Sequence, residues 1–145
     1  MTMPTERLRS LIWGAELIPR LIRDQSVAAD LRTEATRLLA SYPSAEELRR
    51  LVAANAHAMS GEHAAAIEAA LRLFEQVHFR GGGDVETRRL TLFTLRHFPT
   101  RGLAASWSDA FFPTLGDWLA SDDGAAARMA AGPGRGRQDR GDLCQ

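Results

Sequence analysis

The segment Tyr42-Pro43-Ser44-Ala45-Glu46-Glu47 contains both the end of one helix and the start of the next. Tyr42 precedes a proline, and a residue in that position avoids the helical region of backbone space. Ser44 followed three residues later by Glu47 is a capping box, in which each side chain accepts from the backbone N–H of the other residue. The segment therefore predicts one helix that ends near Ser41 and another that begins after Ser44.

Apolar residues at helical spacing extend from this segment in both directions, and no stretch shows the alternation of a β-strand. They predict an all-α protein, a compact bundle of about six or seven helices. Pro19 lies within the first helical pattern. Because it removes a backbone donor and clashes with the preceding turn, we expect a kink or a break there. The predicted helices cover about 5–23, 28–41, 44–58, 62–79, 84–97, 100–111 and 114–131.

The last residues of the chain have a different composition. Residues 132–145 are rich in glycine and arginine and contain almost no apolar side chain. Such a segment cannot bury enough apolar surface to fold, so it predicts a disordered tail. Residues 1–131 are expected to form a single helical domain.

Two halves of the chain align without a gap when the sequence is shifted so that Tyr42 meets Phe98. Each aromatic residue is followed by proline and a hydroxyl residue, and apolar positions of the first and fourth helices also coincide. We interpret the match as an ancestral duplication of a helical hairpin unit, with pseudo-repeats over about 5–58 and 61–114. Two unrelated amphipathic hairpins are the alternative, because all helices share one period. We expect the second helix of each copy to face differently, since Leu31, Ala35 and Leu38 fall opposite Thr87, Thr91 and Thr94.

Two short motifs mark about the first 50 residues. They are Met1-Thr2-Met3-Pro4-Thr5-Glu6-Arg7 and Leu38-Leu39-Ala40-Ser41-Tyr42-Pro43-Ser44. With their Met-Thr-x-Pro-x-Glu-Arg start and Leu-Leu-x-x-Tyr-Pro-Ser segment, they resemble a family of short uncharacterised proteobacterial helical proteins. Pro19 and Ala40-Ser41 depart from the usual pattern of that family. The resemblance implies a helical fold, and it implies no activity.

The composition limits the classes of function. The 18 basic residues are all arginine and are balanced by 18 acidic ones, so no net field attracts nucleic acid or an anionic membrane. The arginine bias is typical of a GC-rich bacterial genome, and selection for planar anion recognition is the alternative. Cys144 is the single cysteine, no apolar run could span a membrane, and residues 1–7 do not resemble a signal peptide. We therefore expect a bacterial cytoplasmic protein.

No residue pattern predicts catalysis or a metal site. Glu75 and His78 have the Glu-x-x-His spacing of di-iron bundles, but the second motif that such a site needs is missing. His57, Glu62 and His63 lie close together in the sequence and match no known ligand spacing. We therefore expect no enzymatic activity, no cofactor and no metal.

An aromatic cluster near the end of the predicted domain is the first candidate for binding. Trp107, Phe111 and Trp118 lie within a short segment, and such side chains are typical anchors for a protein partner. The alternative is a helical cap in which these residues belong to the core.

A basic stretch is the second candidate. It could contact phosphates or an acidic partner, and the alternative is a solvated helix face. Its members are Arg88, Arg89, Arg96 and Arg101.

The class that remains is a small non-enzymatic bacterial protein that acts by binding another macromolecule, such as an accessory or mobile-element gene product. We expect the partner to be a protein. The alternative is a nucleic-acid-binding regulator that uses the face from Arg88 to Arg101. Zero net charge and the absence of a recognisable DNA-reading element disfavour this alternative.

Overall fold

A computed structural model describes residues 4–109 and 113–120 of the chain. Within those ranges the chain forms α-helices, one short 3-10 helix and no strand, which confirms the all-α prediction. The helices are α1 (Pro4–Arg23), α2 (Ala29–Leu39), α3 (Ala45–Ala53), α4 (Gly61–Arg80), α5 (Val85–His97), the 3-10 helix (Ala104–Ser108) and α6 (Leu115–Ala120).

Two capping boxes fix the starts of α3 and α6. Ser44 Oγ accepts from Glu47 N at 3.1 Å, and Glu47 Oε2 accepts from Ser44 N at 2.8 Å, as the sequence predicts. Thr114 Oγ1 accepts from Asp117 N at 3.1 Å, and Asp117 Oδ2 accepts from Thr114 N at 3.0 Å. These bonds satisfy N–H groups that have no acceptor within their own helix.

The long helices surround one apolar core. α1 packs against α2 and α5, and α4 packs against the same two helices. α3 lies against α1, and the 3-10 helix lies against α4. Burial of apolar surface between these helices is the main source of stability. The largest fully buried side chains include those of Trp107, Phe74, Leu11, Leu17, Ile18 and Ile67.

The two halves of the chain follow the same register. Ala29 at the start of α2 and Val85 at the start of α5 coincide when Tyr42 is aligned with Phe98. Our expectation that the second helices face differently is wrong, because burial follows the packing of the shared helix framework rather than the hydropathy of each side chain. The buried residues of α2 are Leu31, Ala35 and Leu38, and those of α5 are their counterparts Thr87, Thr91 and Thr94. This common register is what an ancestral duplication predicts.

α1 continues through Pro19, so the expected break does not occur there. Proline removes the hydrogen bond that its own N–H would donate, and its ring crowds the preceding turn. Ile18 and Leu21 on either side are buried in the core and hold both turns in place. Packing therefore offsets the local cost of the proline.

Tertiary contacts shorten two of the predicted helices. α3 ends at Ala53, and in the loop that follows His57 O accepts from Leu115 N at 3.1 Å. The predicted sixth helix is reduced to the 3-10 turn Ala104–Ser108. There the carboxylate of Glu68 on α4 accepts backbone N–H groups at 2.9 and 3.1 Å, and this fixes the segment from outside.

The predictions made for Phe111, for the end of the seventh helix over 121–131 and for the tail of residues 132–145 concern positions outside the described ranges, and they stay predictions.

The hairpin turns of the two halves meet at Asp24. Its Oδ2 accepts from Asp84 N at 2.8 Å and from Thr87 Oγ1 at 2.7 Å, and its Oδ1 accepts from Ser26 N at 2.9 Å. Partial burial raises the pKa of the Asp24 carboxyl. The hydrogen bonds from Ser26, Thr87 and Asp84 together lower this pKa by a larger amount. The pKa therefore lies well below its ordinary value, and the carboxylate form holds the two turns together.

Candidate functional site

The aromatic residues predicted to anchor a partner lie largely in the core. Trp107 is 0% exposed and Trp118 is 8% exposed, and their rings lie 5.1 Å apart between centroids. The guanidinium of Arg7 lies 5.6 Å from the centre of the Trp118 ring and donates to the Trp118 carbonyl. These indoles fasten α6 and the 3-10 helix to the bundle, so Trp107 and Trp118 present no anchor at the surface. Phe111 lies outside the described ranges.

The predicted basic stretch is divided by the structure. Arg101 lies beyond α5, where its Nη2 is 3.5 Å from Glu75 Oε2 on α4. Arg88, Arg89 and Arg96 are exposed on α5. Three of the four predicted arginines therefore share one helix, and Arg101 belongs to a separate surface ion pair.

The polarity of α5 is partly inverted relative to an ordinary surface helix: Leu90 and Leu95 pack against the core, but the most buried positions are polar. Its buried positions carry the threonines Thr87, Thr91 and Thr94. Val85 is 68% exposed and Leu92 is 50% exposed on the opposite side. A surface helix normally turns its apolar stripe to the core. The exposed side of α5 therefore carries apolar side chains where a solvent-facing helix would ordinarily carry polar ones.

Guanidinium groups stack on an aromatic pair beside these apolar residues. Phe93 on α5 and Trp13 on α1 have ring centroids 6.2 Å apart. Arg89 and Arg96 lie over the Phe93 ring at 5.5 and 5.8 Å, and Arg9 lies over the Trp13 ring at 5.9 Å. Such cation–π contacts hold the three guanidinium groups in defined positions at the surface.

These side chains form one continuous surface, which we call the α5 face. A groove of about 220 Å³ that includes Trp13 and Phe93 runs along its α1 side. A second groove of about 240 Å³ that includes His78 and Leu92 runs along its α4 side. The α5 face consists of Arg9, Trp13, Val85, Arg88, Arg89, Leu92, Phe93 and Arg96.

The α5 face is positively charged. No carboxylate in the described part of the chain lies within 4.0 Å of the guanidinium nitrogens of its arginines. Glu86, the single acidic residue of α5, lines the α1 groove together with Arg89 but forms no ion pair with it within 4.0 Å. Arg20, at the edge of the α1 groove, is paired with Asp84 at 3.4 Å and does not add to this free charge. The face therefore combines apolar contact area with cations that lack a counter-charge.

A groove of about 320 Å³ between α3 and α4 is a weaker candidate. Its floor is apolar, but its polar residues already satisfy one another. Glu47 belongs to the α3 capping box and lies 3.7 Å from His63 Nε2, and Arg50 is paired with Glu46 at 3.2 Å. These groups leave little free charge to select a ligand.

The histidines and carboxylates considered as metal ligands are dispersed. Glu75 faces Arg101, and His63 faces Glu47 rather than His57. Among residues 4–109 and 113–120, no group of three or more His, Cys, Asp or Glu side chains is placed to hold a metal ion.

Sequence reasoning missed Trp13, Leu92 and Phe93. Two signals were available for them. Thr87, Thr91 and Thr94 recur at helical spacing, which places them on one side of α5 and Leu92 on the other without showing which side faces the core. Arg9 precedes Trp13 by one helical turn, and Arg89 precedes Phe93 by the same distance, which is the spacing of stacked pairs.

None of the helices in the described ranges combines the length and the apolarity that a membrane crossing requires. No family model, curated protein or solved structure matches the chain. The resemblance of the first residues to the proteobacterial family therefore stays a prediction.

Proposed function

We propose that this chain is a non-enzymatic protein that binds another protein through the α5 face. The observation that carries the proposal is the partly inverted polarity of α5. Thr91 is buried while Leu92 beside it is half exposed. Leaving the apolar side chains of Val85 and Leu92 in water is unfavourable, and a partner that covers them gains this burial.

The residue types of the α5 face support this proposal. Tryptophan and arginine are enriched among the residues that dominate binding energy in protein interfaces. Trp13 supplies a large, partly exposed ring, and the arginines around Phe93 are held in place by stacking. Side chains that are ordered before binding lose less entropy when a partner arrives.

Binding of single-stranded nucleic acid is the second candidate function. It is favoured by the free guanidinium groups and by the rings of Trp13 and Phe93, on which bases can stack. It is disfavoured by Val85 and Leu92, because apolar side chains gain nothing from contact with phosphates. Protein binding accounts for both sets of residues.

The test compares two matched leucine variants. Leu92 on the α5 face is 50% exposed, and Leu39 on α2 is 51% exposed. The parent, Leu92→Gln and Leu39→Gln are used as baits for crosslinking and quantitative mass spectrometry. We expect the partner to be recovered with the parent and with Leu39→Gln, and to fall at least about tenfold with Leu92→Gln.

The same variants separate the two candidate functions. A labelled single-stranded oligonucleotide is titrated at low and at moderate salt, with parent, Leu92→Gln and an Arg89→Ala/Arg96→Ala variant. Salt-sensitive binding that survives Leu92→Gln but is lost with the arginines would replace protein binding by nucleic-acid binding. In the crosslinking experiment, equal recovery of the partner with the parent, Leu92→Gln and Leu39→Gln would contradict a role for the α5 face.

A further inference from the structure

We infer that the segment of the partner that lies on the α5 face is an acidic amphipathic helix, an inference that rests on the proposed function. Three features of the face lead to it: its period along α5, its grooves and its charge.

The period of the α5 face matches that of a partner helix. Val85, Arg88, Leu92 and Arg96 recur every three or four residues along one side of α5. Apolar and cationic side chains therefore alternate turn by turn over about 20 Å, the length of a helix of this size. A helix laid along α5 meets one of these residues at each turn of its own.

The shape of the face also suits a helix. α5 forms a ridge between the groove at Trp13 and Phe93 and the groove at His78 and Leu92. Helices pack by placing the ridges of one into the grooves of the other. Side chains on two adjacent rows of a partner helix could enter both grooves at once, with the backbone above Leu92.

The charge of the face requires acidic residues on that helix. Arg88, Arg89 and Arg96 have no carboxylate within 4.0 Å in the described ranges. Burying a guanidinium beneath a partner without a counter-charge is costly. Carboxylates beside the apolar residues of the partner would accept bidentate hydrogen bonds from these groups, and they would also increase the association rate.

A second copy of this chain does not fit as the occupant. Two α5 faces brought together would oppose arginines with arginines, and Glu86 alone supplies acid on α5. Like charges placed opposite each other are unfavourable in an interface. The occupant is therefore a different protein that presents the complementary charge.

A display selection tests the inference on the full-length chain. A random library of peptides about 16 residues long, enough for four helical turns, is selected on the parent and depleted on Leu92→Gln. Only peptides that bind the α5 face remain. We expect them to carry Asp or Glu in excess and apolar residues at three- or four-residue spacing, and to gain helical circular dichroism on binding.

Charge reversal gives the second measurement. Binding is followed through the fluorescence of Trp13, with Trp13→Phe as the control that removes this reporter while Trp107 and Trp118 remain buried. An Arg89→Glu/Arg96→Glu variant should bind the selected peptides at least about tenfold more weakly. Peptides with Lys in place of their acidic residues should restore binding to that variant and should bind the parent poorly.

The outcomes separate this inference from the proposed function. Peptides that depend on Leu92 but show no acidic excess or no helical period would overturn the acidic helix and leave protein binding by the α5 face intact. If no selected peptide distinguishes the parent from Leu92→Gln, both fail. A third outcome is a single-stranded oligonucleotide that binds in a salt-sensitive way, displaces the peptides and does not require Leu92. This outcome would assign the α5 face to nucleic acid.

Discussion

Gly14 lies at the closest approach between α1 and the aromatic residues that end α2 and α5. A Cβ atom at this position would overlap the hydroxyl of Tyr42 and would come within 3.3 Å of Phe98 Cε2. Tyr42 cannot move away at low cost, because its buried hydroxyl donates to Leu11 O at 2.7 Å. Burial raises the pKa of Tyr42, so this hydroxyl keeps its proton and remains a donor.

We predict that Gly14→Ala destabilises the protein, although alanine is the better helix former. The gain in helix propensity is about 1 kcal/mol. Overpacking against Tyr42 and Phe98 should outweigh it, so the free energy of unfolding should fall by about 1–3 kcal/mol net. Equilibrium unfolding in urea measures the change.

Gly61→Ala is the matched control for this substitution. A Cβ atom at Gly61 in α4 would meet only Ser108 Cβ, at the ordinary contact distance of 3.9 Å. Its unfolding midpoint should be equal to that of the parent or higher. If Gly14→Ala raises the unfolding midpoint as Gly61→Ala does, the side chains of Tyr42 and Phe98 do not pack tightly against Gly14.

At the level of elements, the sequence located helices well and their buried faces less well. The capping box at Ser44 and the prolines after Tyr42 and Phe98 act over a few residues, so local chemistry predicts those ends. The buried side of α5 depends on how α1 and α4 pack against it. Because that packing is tertiary, the threonines alone could not show that they face inward.

The α5 face could be predicted only in part for the same reason. Arg88, Arg89 and Arg96 lie within one short stretch of the sequence and were predicted together. Trp13 joins them only because α1 packs beside α5. Trp107 was predicted as an anchor from its residue type, but type does not determine exposure. Only the position of the 3-10 helix on α4 shows that it is buried.

We predict that Thr94→Val stabilises the protein. Thr94 is 0% exposed, and its Oγ1 has no hydrogen-bond partner in the described part of the chain. Replacing the hydroxyl with a methyl group of similar size removes an unsatisfied buried polar group, so the free energy of unfolding should rise by about 1 kcal/mol. Urea denaturation at neutral pH measures the gain.

Thr91→Val provides the comparison on the same helix. Thr91 is equally buried, but its Oγ1 donates to Thr87 O at 2.7 Å. Removing a satisfied hydroxyl should stabilise less than removing an unsatisfied one, or should destabilise. Equal gains at both positions would indicate that apolar packing, rather than the hydrogen-bond state of Thr94, determines the effect.

At the level of the whole molecule, a net charge of zero conceals an uneven distribution. Several arginines are paired with carboxylates, such as Arg80 with Asp30 at 2.7 Å and Arg37 with Glu34 at 3.0 Å. Those of the α5 face are not. A balanced total therefore coexists with a locally positive surface on α5, which net charge alone does not reveal and on which the proposed acidic partner depends.

The hydrogen bonds that Asp24 accepts from Asp84 N and Thr87 connect the two hairpin turns, and they make the stability of the protein sensitive to acid. The pKa of Asp24 is lower in the folded chain than the value of about 4 expected when unfolded. The folded state therefore binds fewer protons in the acid range, and the stability that Asp24 contributes is complete above that unfolded value. It is lost as the pH falls below about 4 toward the folded pKa.

We predict that Asp24→Asn lowers stability at neutral pH and flattens its dependence on acid. The amide cannot accept charge-assisted bonds from Ser26, Asp84 N and Thr87, so the free energy of unfolding at neutral pH should fall by about 1–3 kcal/mol. The difference between parent and variant should shrink as the pH is lowered from about 5 to about 2, because protonation removes the same charge from the parent. Urea unfolding over that pH range measures both effects.

Asp30→Asn tests whether this effect belongs to the junction or to any ion pair between the halves. The hydrogen bond from Arg80 lowers the pKa of Asp30, but this carboxylate is exposed at the surface. Solvent screens such pairs, so Asp30→Asn should change the midpoint much less than Asp24→Asn does. If the two variants lose the same acid dependence, the two halves are held by general surface charge. If only Asp24→Asn loses it, the hydrogen bonds that the Asp24 carboxylate accepts from Thr87 and from Asp84 N couple the two hairpin turns.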